Sequence, residues 1–184
     1  MLYTASRILY AEGLHSVGID RILTEANTIR ATMYRHFPGK QDLVLAYLAE
    51  VDNAFRDRPA ATWARDGSAA DTVRAVAADF AAYIGRPGFR GCAFLNAAAE
   101  YPDLEHPVHQ SVLAHREWFL GTATELFARV GGGLADAAGR HFVMLRDGAM
   151  VAGCLTDPAV VCETFLHGVD GVLWSFTVAD APRG

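Results

Sequence analysis

The chain has 184 residues, of which 52% are hydrophobic and 20% are charged, and its formal net charge is −5. This composition supplies enough apolar side chains for a sizeable core, which excludes a disordered chain. The acidic balance excludes a uniformly basic nucleic-acid coat protein, although it leaves room for a local basic region.

The three cysteines, Cys92, Cys154 and Cys162, do not form a recognisable framework. Their number is odd, and no two of them have the Cys-x-x-Cys spacing of a structural zinc site. We therefore predict a reducing compartment and no metal or cofactor. The sequence shows no basic leader followed by an apolar run, and no stretch of about 18 apolar residues that could span a membrane. A cytoplasmic protein is expected.

The first forty residues predict three short helices. One apolar stripe covers residues 2–10, and Gly13 after it suits the left-handed position that ends a helix. A second stripe covers residues 19–26, and Asn27 after it tolerates a positive φ angle. The third stripe consists of Ile29, Met33 and Phe37, and Pro38-Gly39 ends it.

Helical spacing of apolar residues continues through the rest of the chain. Helices are predicted at 43–56, 73–84, 107–130, 134–155 and 157–178, with a connection at 59–68. Asp157-Pro158 separates the last two, because aspartate suits a helix cap and proline suits the first helical turn. Convincing alternating strand patterns are missing, so the predicted fold class is all-α.

Charge divides the chain into two parts. Residues 1–40 contain five basic and three acidic side chains, a net charge of +2, so the remainder carries −7. This asymmetry predicts a small N-terminal domain, residues 1–56, that can approach a polyanion. Residues 57–184 would form a larger acidic domain that cannot.

Three short helices joined by tight turns are typical of a helix-turn-helix motif. The three-residue connection at 26–28 is predicted to make its flanking helices cross steeply, with Ile22 and Ala26 packing against Ile29 and Met33. The side chains off this stripe would then meet a major groove, and they are Arg30, Thr32, Arg35 and His36.

Two residues beside this motif are expected to assist it. Thr28 can cap the second helix of the pair through its hydroxyl group. Lys40 stands at the start of the next helix, where its ammonium group and nearby backbone N–H groups can bind one phosphate.

At these residues the sequence resembles the TetR-like family of transcriptional regulators. The resemblance rests on the run 26–40, with its Thr-x-Tyr-x-His-Phe-x-x-Lys core at 32–40, followed by Leu43, and it covers about residues 1–50. It implies that Tyr34 and Lys40 bind phosphate. It also implies that Arg30, Thr32 and His36 lie near base edges or backbone, with Arg35 nearby. Beyond residue 50 it implies a helical domain for effector binding and dimerisation.

Several positions depart from the family pattern. Val17 and Gly18 stand where hydroxyl side chains usually hold phosphate, Asn27 replaces the turn glycine, and Ile29 occupies the usual cap position. Family members usually carry a basic arm ahead of the first helix, whereas Met1 here stands inside that helix. A start site upstream and a real loss of operator affinity are both compatible with this pattern.

The second domain is predicted to enclose an apolar pocket for a small organic effector. Its candidate lining residues are Phe94, Asn96, Tyr101, His115, Trp118, Phe119, Met144 and Met150. A filled core is the competing interpretation for each of them. Cys92 is expected to be a buried thiol, and the histidines at 106 and 109 to lie on a solvated turn rather than to bind a metal.

The last two helices are apolar over more of their circumference than one contact face requires. We predict that they form half of a four-helix interface with a second copy of the chain. The candidate interface residues are Phe142, Leu145, Phe165, Val169, Val172, Leu173 and Phe176. Burial of both helices within one subunit is the alternative.

These patterns favour a homodimeric transcriptional regulator. The leading hypothesis is a repressor that binds double-stranded operator DNA and is released from it by a small apolar effector. An enzyme acting on a small apolar substrate is a rival, but no acid–base pair or nucleophile supports it, and we predict no enzymatic activity. A second rival is a small-molecule-binding protein of the same fold with weak or lost DNA binding. No membrane partner is expected.

Overall fold

The computed structural model describes residues 1–63, 67–131 and 133–178. Over these ranges the chain forms helices and connecting loops without a strand, which confirms the predicted all-α class. The helices are α1 (Leu2–Glu12), α2 (Ile19–Glu25), α3 (Arg30–His36), α4 (Lys40–Trp63), α5 (Ala69–Ile84), α6 (Ala93–Glu100), α7 (Pro107–Val130), α8 (Ala135–Ala152) and α9 (Pro158–Val178). Within the described ranges, no helix combines the length and hydropathy that a membrane span needs.

Two predicted turn positions have the backbone geometry that their residue types favour. Gly13 ends α1 with a φ angle of 98°, and its N–H donates to the carbonyl of Leu9. Asn27 lies between α2 and α3 with a φ angle of 45°. Both predictions are confirmed, because glycine and asparagine enter the left-handed region at least cost.

Helix α4 extends beyond its predicted end at residue 56. It passes through Pro59 and ends at Trp63, so the predicted connection begins later than residue 59. A proline inside a helix removes one backbone hydrogen bond but does not by itself force an end. Residues 64–66 of the predicted connection lie outside the described residues.

Helix α5 begins at Ala69, four residues before its predicted start. A capping box explains the early start: the Ser68 hydroxyl accepts from the Asp71 N–H at 3.1 Å, and the Asp71 carboxylate accepts from the Ser68 N–H at 3.2 Å. These reciprocal bonds satisfy two N–H groups that a helix start otherwise leaves unpaired. The apolar pattern alone begins only at Val73, so it misses this turn.

The chain forms two compact units, and their division differs from the predicted one. The first unit contains Met1–Arg56 and Ala93–His115, and the second contains Asp57–Cys92 and Arg116–Gly184. Residues 93–115 therefore join the N-terminal residues rather than the second predicted domain. The reason is local contact: Glu100 binds the α1–α2 turn, and His115 binds Asp52 on α4.

The second unit is built around α9, which packs against both α5 and α8. Its core contains a cluster of aromatic rings, in which Phe142 lies 5.9–6.4 Å from four others. These neighbours are Phe80, Phe119, Phe127 and Phe165. Ring separations in this range are favourable for aromatic pairs.

Candidate nucleic-acid interface

The recognition helix candidate, α3, is anchored by its buried side. Met33 on α3 and Ile22 on α2 are both fully buried, as the predicted crossing of the two helices requires. The N–H of Thr28 donates to the carbonyl of Leu23 at 3.0 Å, which closes the connection tightly. Burial of one side of so short a helix leaves its other side to face solvent.

The exposed side of α3 carries most of the predicted DNA-contacting residues. Arg30, Tyr34, Arg35 and His36 are exposed, and Thr28, Thr32 and Lys40 are half-buried. A surface with this mixture of guanidinium, hydroxyl and imidazole groups can donate to phosphate oxygens and to base edges.

Two local predictions about this motif need correction. Ile29 is 66% exposed, so it does not pack at the helix crossing. Thr28 does not cap α3, because the helix begins at Arg30 and Ile29 occupies the N-cap position without a side-chain hydrogen bond. Both errors have one cause: α3 starts one residue later than the apolar pattern indicates.

Ion pairs hold three of the four arginines in the α1 to α3 region of the first unit. Arg30 donates through Nη2 to both carboxylate oxygens of Asp20, at 2.6 and 2.7 Å. The other pairs join Arg7 to Glu25 at 2.7 Å and Arg21 to Glu25 and Glu12 at 2.9 and 3.2 Å. Pairs this exposed add little to stability, but they orient the guanidinium groups. Arg35, by contrast, makes no ion pair with any residue that the structure describes.

Lys40, the predicted phosphate ligand, is the first residue of α4. Its ammonium group donates to the carbonyl of His15 at 3.0 Å, which fixes it beside the α1–α2 turn. Burial lowers the pKa of Lys40, and the nearby carboxylate of Glu100 opposes that effect only in part. The side chain is half-buried, and the hydrogen bond to the turn sets the position of its amine.

The same turn is held by Glu100 of α6. The two carboxylate oxygens of Glu100 accept from the backbone N–H groups of Leu14 at 2.8 Å and His15 at 2.6 Å. The His15 ring lies 2.8 Å from the Glu100 carbonyl oxygen and 4.3 Å from the Tyr101 ring. Sequence reasoning missed Glu100, since its partners lie 85 and 86 residues away and leave no local signal.

Four of the predicted pocket residues belong to the first unit. Phe94 and His115 are buried, and their rings stack at 3.6 Å, while Asn96 and Tyr101 are half-buried. His115 Nδ1 lies 2.6 Å from the carboxylate of Asp52. Burial opposes ionisation of Asp52, but hydrogen bonds from His115 and Arg56 outweigh it and lower the pKa of this carboxyl.

The other four predicted pocket residues belong to the second unit. Phe119 and Met150 are buried, Trp118 is half-buried, and Met144 is 69% exposed. Met144 lies on the outer side of α8, where it lines a groove between α8 and α9 rather than the core that holds Phe119. The structure thus divides the predicted pocket set between the two units.

A buried arginine lies outside the predicted set. Arg146 follows Phe142 by one helical turn on the inner side of α8, and its guanidinium lies 5.2 Å from the ring centres of Phe80 and Phe119. Its Nη2 lies 3.3 Å from the sulfur of Cys92, which is buried as predicted. The position within the apolar stripe of α8 is the signal that could have identified it.

Most of the predicted dimer-contact residues face the interior of the second unit. Phe142, Phe165, Val169, Val172 and Leu173 are buried there, and Leu145 and Phe176 are half-buried. A side chain buried in its own subunit cannot contact another, so these five are core residues of the unit, whereas Leu145 lines a groove between α8 and α9. Helices that are apolar all round give no signal of which stripe faces inward.

The outer face of α8, α9 and their connection is also apolar. Its large exposed apolar residues are Met144, Val151, Leu155, Val160 and Trp174. A groove of about 640 Å³ runs between the two helices, with Met144, Leu145, Gly148, Val160 and Thr164 among its lining residues. Several large exposed apolar residues beside an apolar groove are typical of an interaction surface.

Known proteins resemble this chain both in its N-terminal helices and over nearly its whole length. Residues 2–47, which contain α1 to α3, match the family described as bacterial regulatory proteins, tetR family. A TetR-family transcriptional regulator from Streptomyces coelicolor is 62% identical to this chain, with 96% of this chain and 93% of that one covered and a TM-score of 0.93.

More distant structures share the fold. A TetR regulator from Chloroflexus aurantiacus is 24% identical over 96% of this chain and 91% of that one, with a TM-score of 0.80. NemR of Escherichia coli, in its reduced form, is 17% identical over 92% of this chain and 93% of that one, with a TM-score of 0.83. No curated protein matches the chain. The similarity to the Streptomyces coelicolor regulator over nearly the whole of both chains places this protein in the TetR family of transcriptional regulators.

Proposed function

We propose that this protein is a homodimeric repressor that binds a pseudo-palindromic operator through α3 and leaves it when a small apolar effector binds. The exposed side of α3 is the observation that carries the proposal. It presents Arg30, Tyr34, Arg35 and His36 together, at the position where a helix-turn-helix protein contacts the major groove. Such a regulator works in the compartment that holds the chromosome.

Each of these residues has a proposed role. Arg30, Thr32 and His36 contact base edges or backbone, and Arg35 and Thr28 lie beside them. Tyr34 and Lys40 bind phosphate. The hydrogen bond from Lys40 to the His15 carbonyl supports this role, since it holds the cation at the rim of the unit before DNA arrives. A prepositioned cation loses less side-chain entropy on binding.

Dimerisation would bring two recognition helices to one operator. The apolar outer face of α8 and α9 supports a second copy as its partner, because a two-fold interface uses the same patch twice. Apolar helices that pair in this way form a four-helix interface. Met144, Val160 and Trp174 would contribute the exposed apolar area.

Effector binding is assigned to the helical region beyond residue 57. The aromatic cluster of the second unit, with the Arg146 guanidinium against two of its rings, supports a small organic molecule that has a largely apolar body. The effector would favour a state whose two recognition helices no longer match both half-sites, through its higher affinity for that state.

DNA binding is tested by selecting duplexes from a random pool and titrating the selected sequence by fluorescence anisotropy at two salt concentrations. We expect Arg30→Ala and Lys40→Ala to weaken binding, and Lys40→Ala to lower the salt slope by about 0.9 for one lost phosphate contact. Arg86→Ala, at an exposed arginine of the second unit, is the matched control. Equal binding by all four proteins would contradict the proposal.

A second candidate is a small-molecule-binding protein of the same fold with weak operator affinity. The observation in its favour is that Arg7, Arg21 and Arg30 already pair with carboxylates of their own unit. A salt slope close to zero, together with tight binding of a compound from a library of small apolar molecules, would favour this candidate over the repressor.

A further inference from the structure

Ile29 is exposed to solvent, which its apolar residue type does not explain. It is 66% exposed, whereas Ile8, Ile22 and Ile84 are each at most 1% exposed. Single exposed apolar residues are common on protein surfaces, so exposure alone carries no conclusion. The position of Ile29 in the fold is what gives it meaning.

Ile29 is the N-cap residue of α3, with extended backbone angles and no side-chain hydrogen bond to the helix. This position favours serine, threonine, aspartate or asparagine, whose oxygens accept from the first N–H groups of the helix. Isoleucine supplies no acceptor, so the helix start gives up a stabilising bond. The side chain instead projects an apolar surface at the leading end of the recognition helix.

The neighbours of Ile29 define what this surface can meet. Arg30, next in the chain, uses Nη2 to bind Asp20, so its remaining N–H groups can still approach a base. Ala31 adds a second exposed apolar group beside it. The N-terminal residues of a recognition helix contact base edges, and the thymine C5-methyl is the apolar group on the edges of the major groove.

We propose that Ile29 is a specificity-determining residue, which packs against the methyl group of a thymine beside the base that Arg30 contacts in each half-site. The inference rests on the proposed operator binding and deepens it, because it names the base that the operator must carry. The apolar patch of Ile29 and Ala31 is far smaller than a protein partner would need, whereas a methyl group can pack against it.

Deoxyuridine substitution tests the contact at the level of a single methyl group. Each thymine of the selected operator is replaced in turn by deoxyuridine, which keeps base pairing and removes only the methyl. We expect the wild type to lose about fourfold in affinity at one thymine per half-site, the effect of one buried methyl group. We expect Ile29→Ala to bind thymine and deoxyuridine operators equally, and Ile29→Val to retain most of the discrimination.

Leu104→Ala is the control, since Leu104 is exposed to a similar degree, 61%, but lies in the loop before α7. It should discriminate as the wild type does. A wild type that ignores deoxyuridine at every position would overturn the inference while leaving operator binding intact, and so would Ile29→Ala with unchanged discrimination. Failure to bind any duplex would instead contradict the proposed function, and the inference with it.

Discussion

At the scale of single residues, the interface depends on how charged side chains are held before DNA arrives. Asp20 binds the same arginine that we expect to contact a base, and its carboxylate is itself exposed. An anion in this position repels phosphate, yet it orients the guanidinium. If Arg30 contacts a base as proposed, the pair lowers overall DNA affinity and raises selectivity.

The Asp20→Asn variant tests this trade. We expect its affinity for random-sequence duplex to rise by about fivefold, because one repulsive charge is worth about 1 kcal/mol in water. Its preference for operator over random DNA should fall, because Arg30 loses its orienting partner. Asp57→Asn, at an exposed aspartate of α4 in the second unit, should change neither quantity. Equal operator preference in wild type and Asp20→Asn would argue against an orienting role.

The pair of buried His115 and half-buried Asp52 predicts a pH-dependent stability. Asp52→Asn should destabilise the protein by about 1–3 kcal/mol at pH 7, since a half-buried hydrogen-bonded charge is lost. The pKa of Asp52 is lower when folded than when unfolded, so its stabilisation is complete above the unfolded value of about 3.9. It is lost as the pH falls through the lower folded value.

Urea denaturation of wild type and Asp52→Asn at a series of pH values checks this prediction. The difference in unfolding free energy should be constant near neutrality and shrink in acid. A difference that persists unchanged to the lowest pH at which the protein stays folded would show that the charge of Asp52 is not what stabilises the pair.

At the scale of elements, most helix positions follow from the sequence, while the orientation of their faces does not. The long helix α7 has the predicted bounds of 107 and 130, because proline begins it and glycines follow it. Apolar spacing alone misplaced the start of α5 and the end of α4, where a capping box and a tolerated proline decide.

The side of a helix that packs against the core could be predicted only where the helix has one apolar stripe. Met33 is buried as predicted because it is the large aliphatic side chain of α3, whose other large side chains carry polar groups. Phe142 and Leu173 lie on helices that are apolar over most of their surface, so nothing local distinguishes an inner from an outer side. The role of Glu100 could not be predicted for another reason: its partners, Leu14 and His15, come close to it only when the chain folds.

Close packing of α7 against α8 predicts opposite effects for two glycine substitutions. A Cβ atom at Gly139 would lie 2.7 Å from the hydroxyl of Thr124 and 3.0 Å from its backbone nitrogen, so Gly139→Ala should destabilise by about 1–3 kcal/mol. Among the described residues, nothing beyond the adjoining backbone of its own helix lies within 4 Å of a Cβ at Gly121, so Gly121→Ala should stabilise this exposed helix position by about 0.5–1 kcal/mol. Urea denaturation of both variants measures the difference, and equal shifts in one direction would contradict the helix packing.

At the scale of the whole molecule, the proposed dimer depends on the outer apolar face of α8 and α9. Met144→Glu would place a charge in each half of that interface, so we expect the dimer dissociation constant to rise by about a hundredfold. Leu104→Glu introduces the same charge at an exposed leucine of the first unit and should leave the dimer intact. Analytical ultracentrifugation over a range of concentrations distinguishes the two.

An unchanged dimer in Met144→Glu would contradict the assignment of this face. Operator affinity should fall in the same variant, because a monomer presents one recognition helix and loses the second half-site. A variant that dissociates but binds the operator at full strength would show that a single subunit suffices.

The most direct test of the account is to change the separation of the two operator half-sites. Two recognition helices of one dimer require half-sites about one helical turn, or about 10 base pairs, apart. We predict that inserting about five base pairs between them, which turns one half-site to the opposite side of the duplex, abolishes tight binding measured by anisotropy. Tight binding that is unaffected by this insertion would contradict the account.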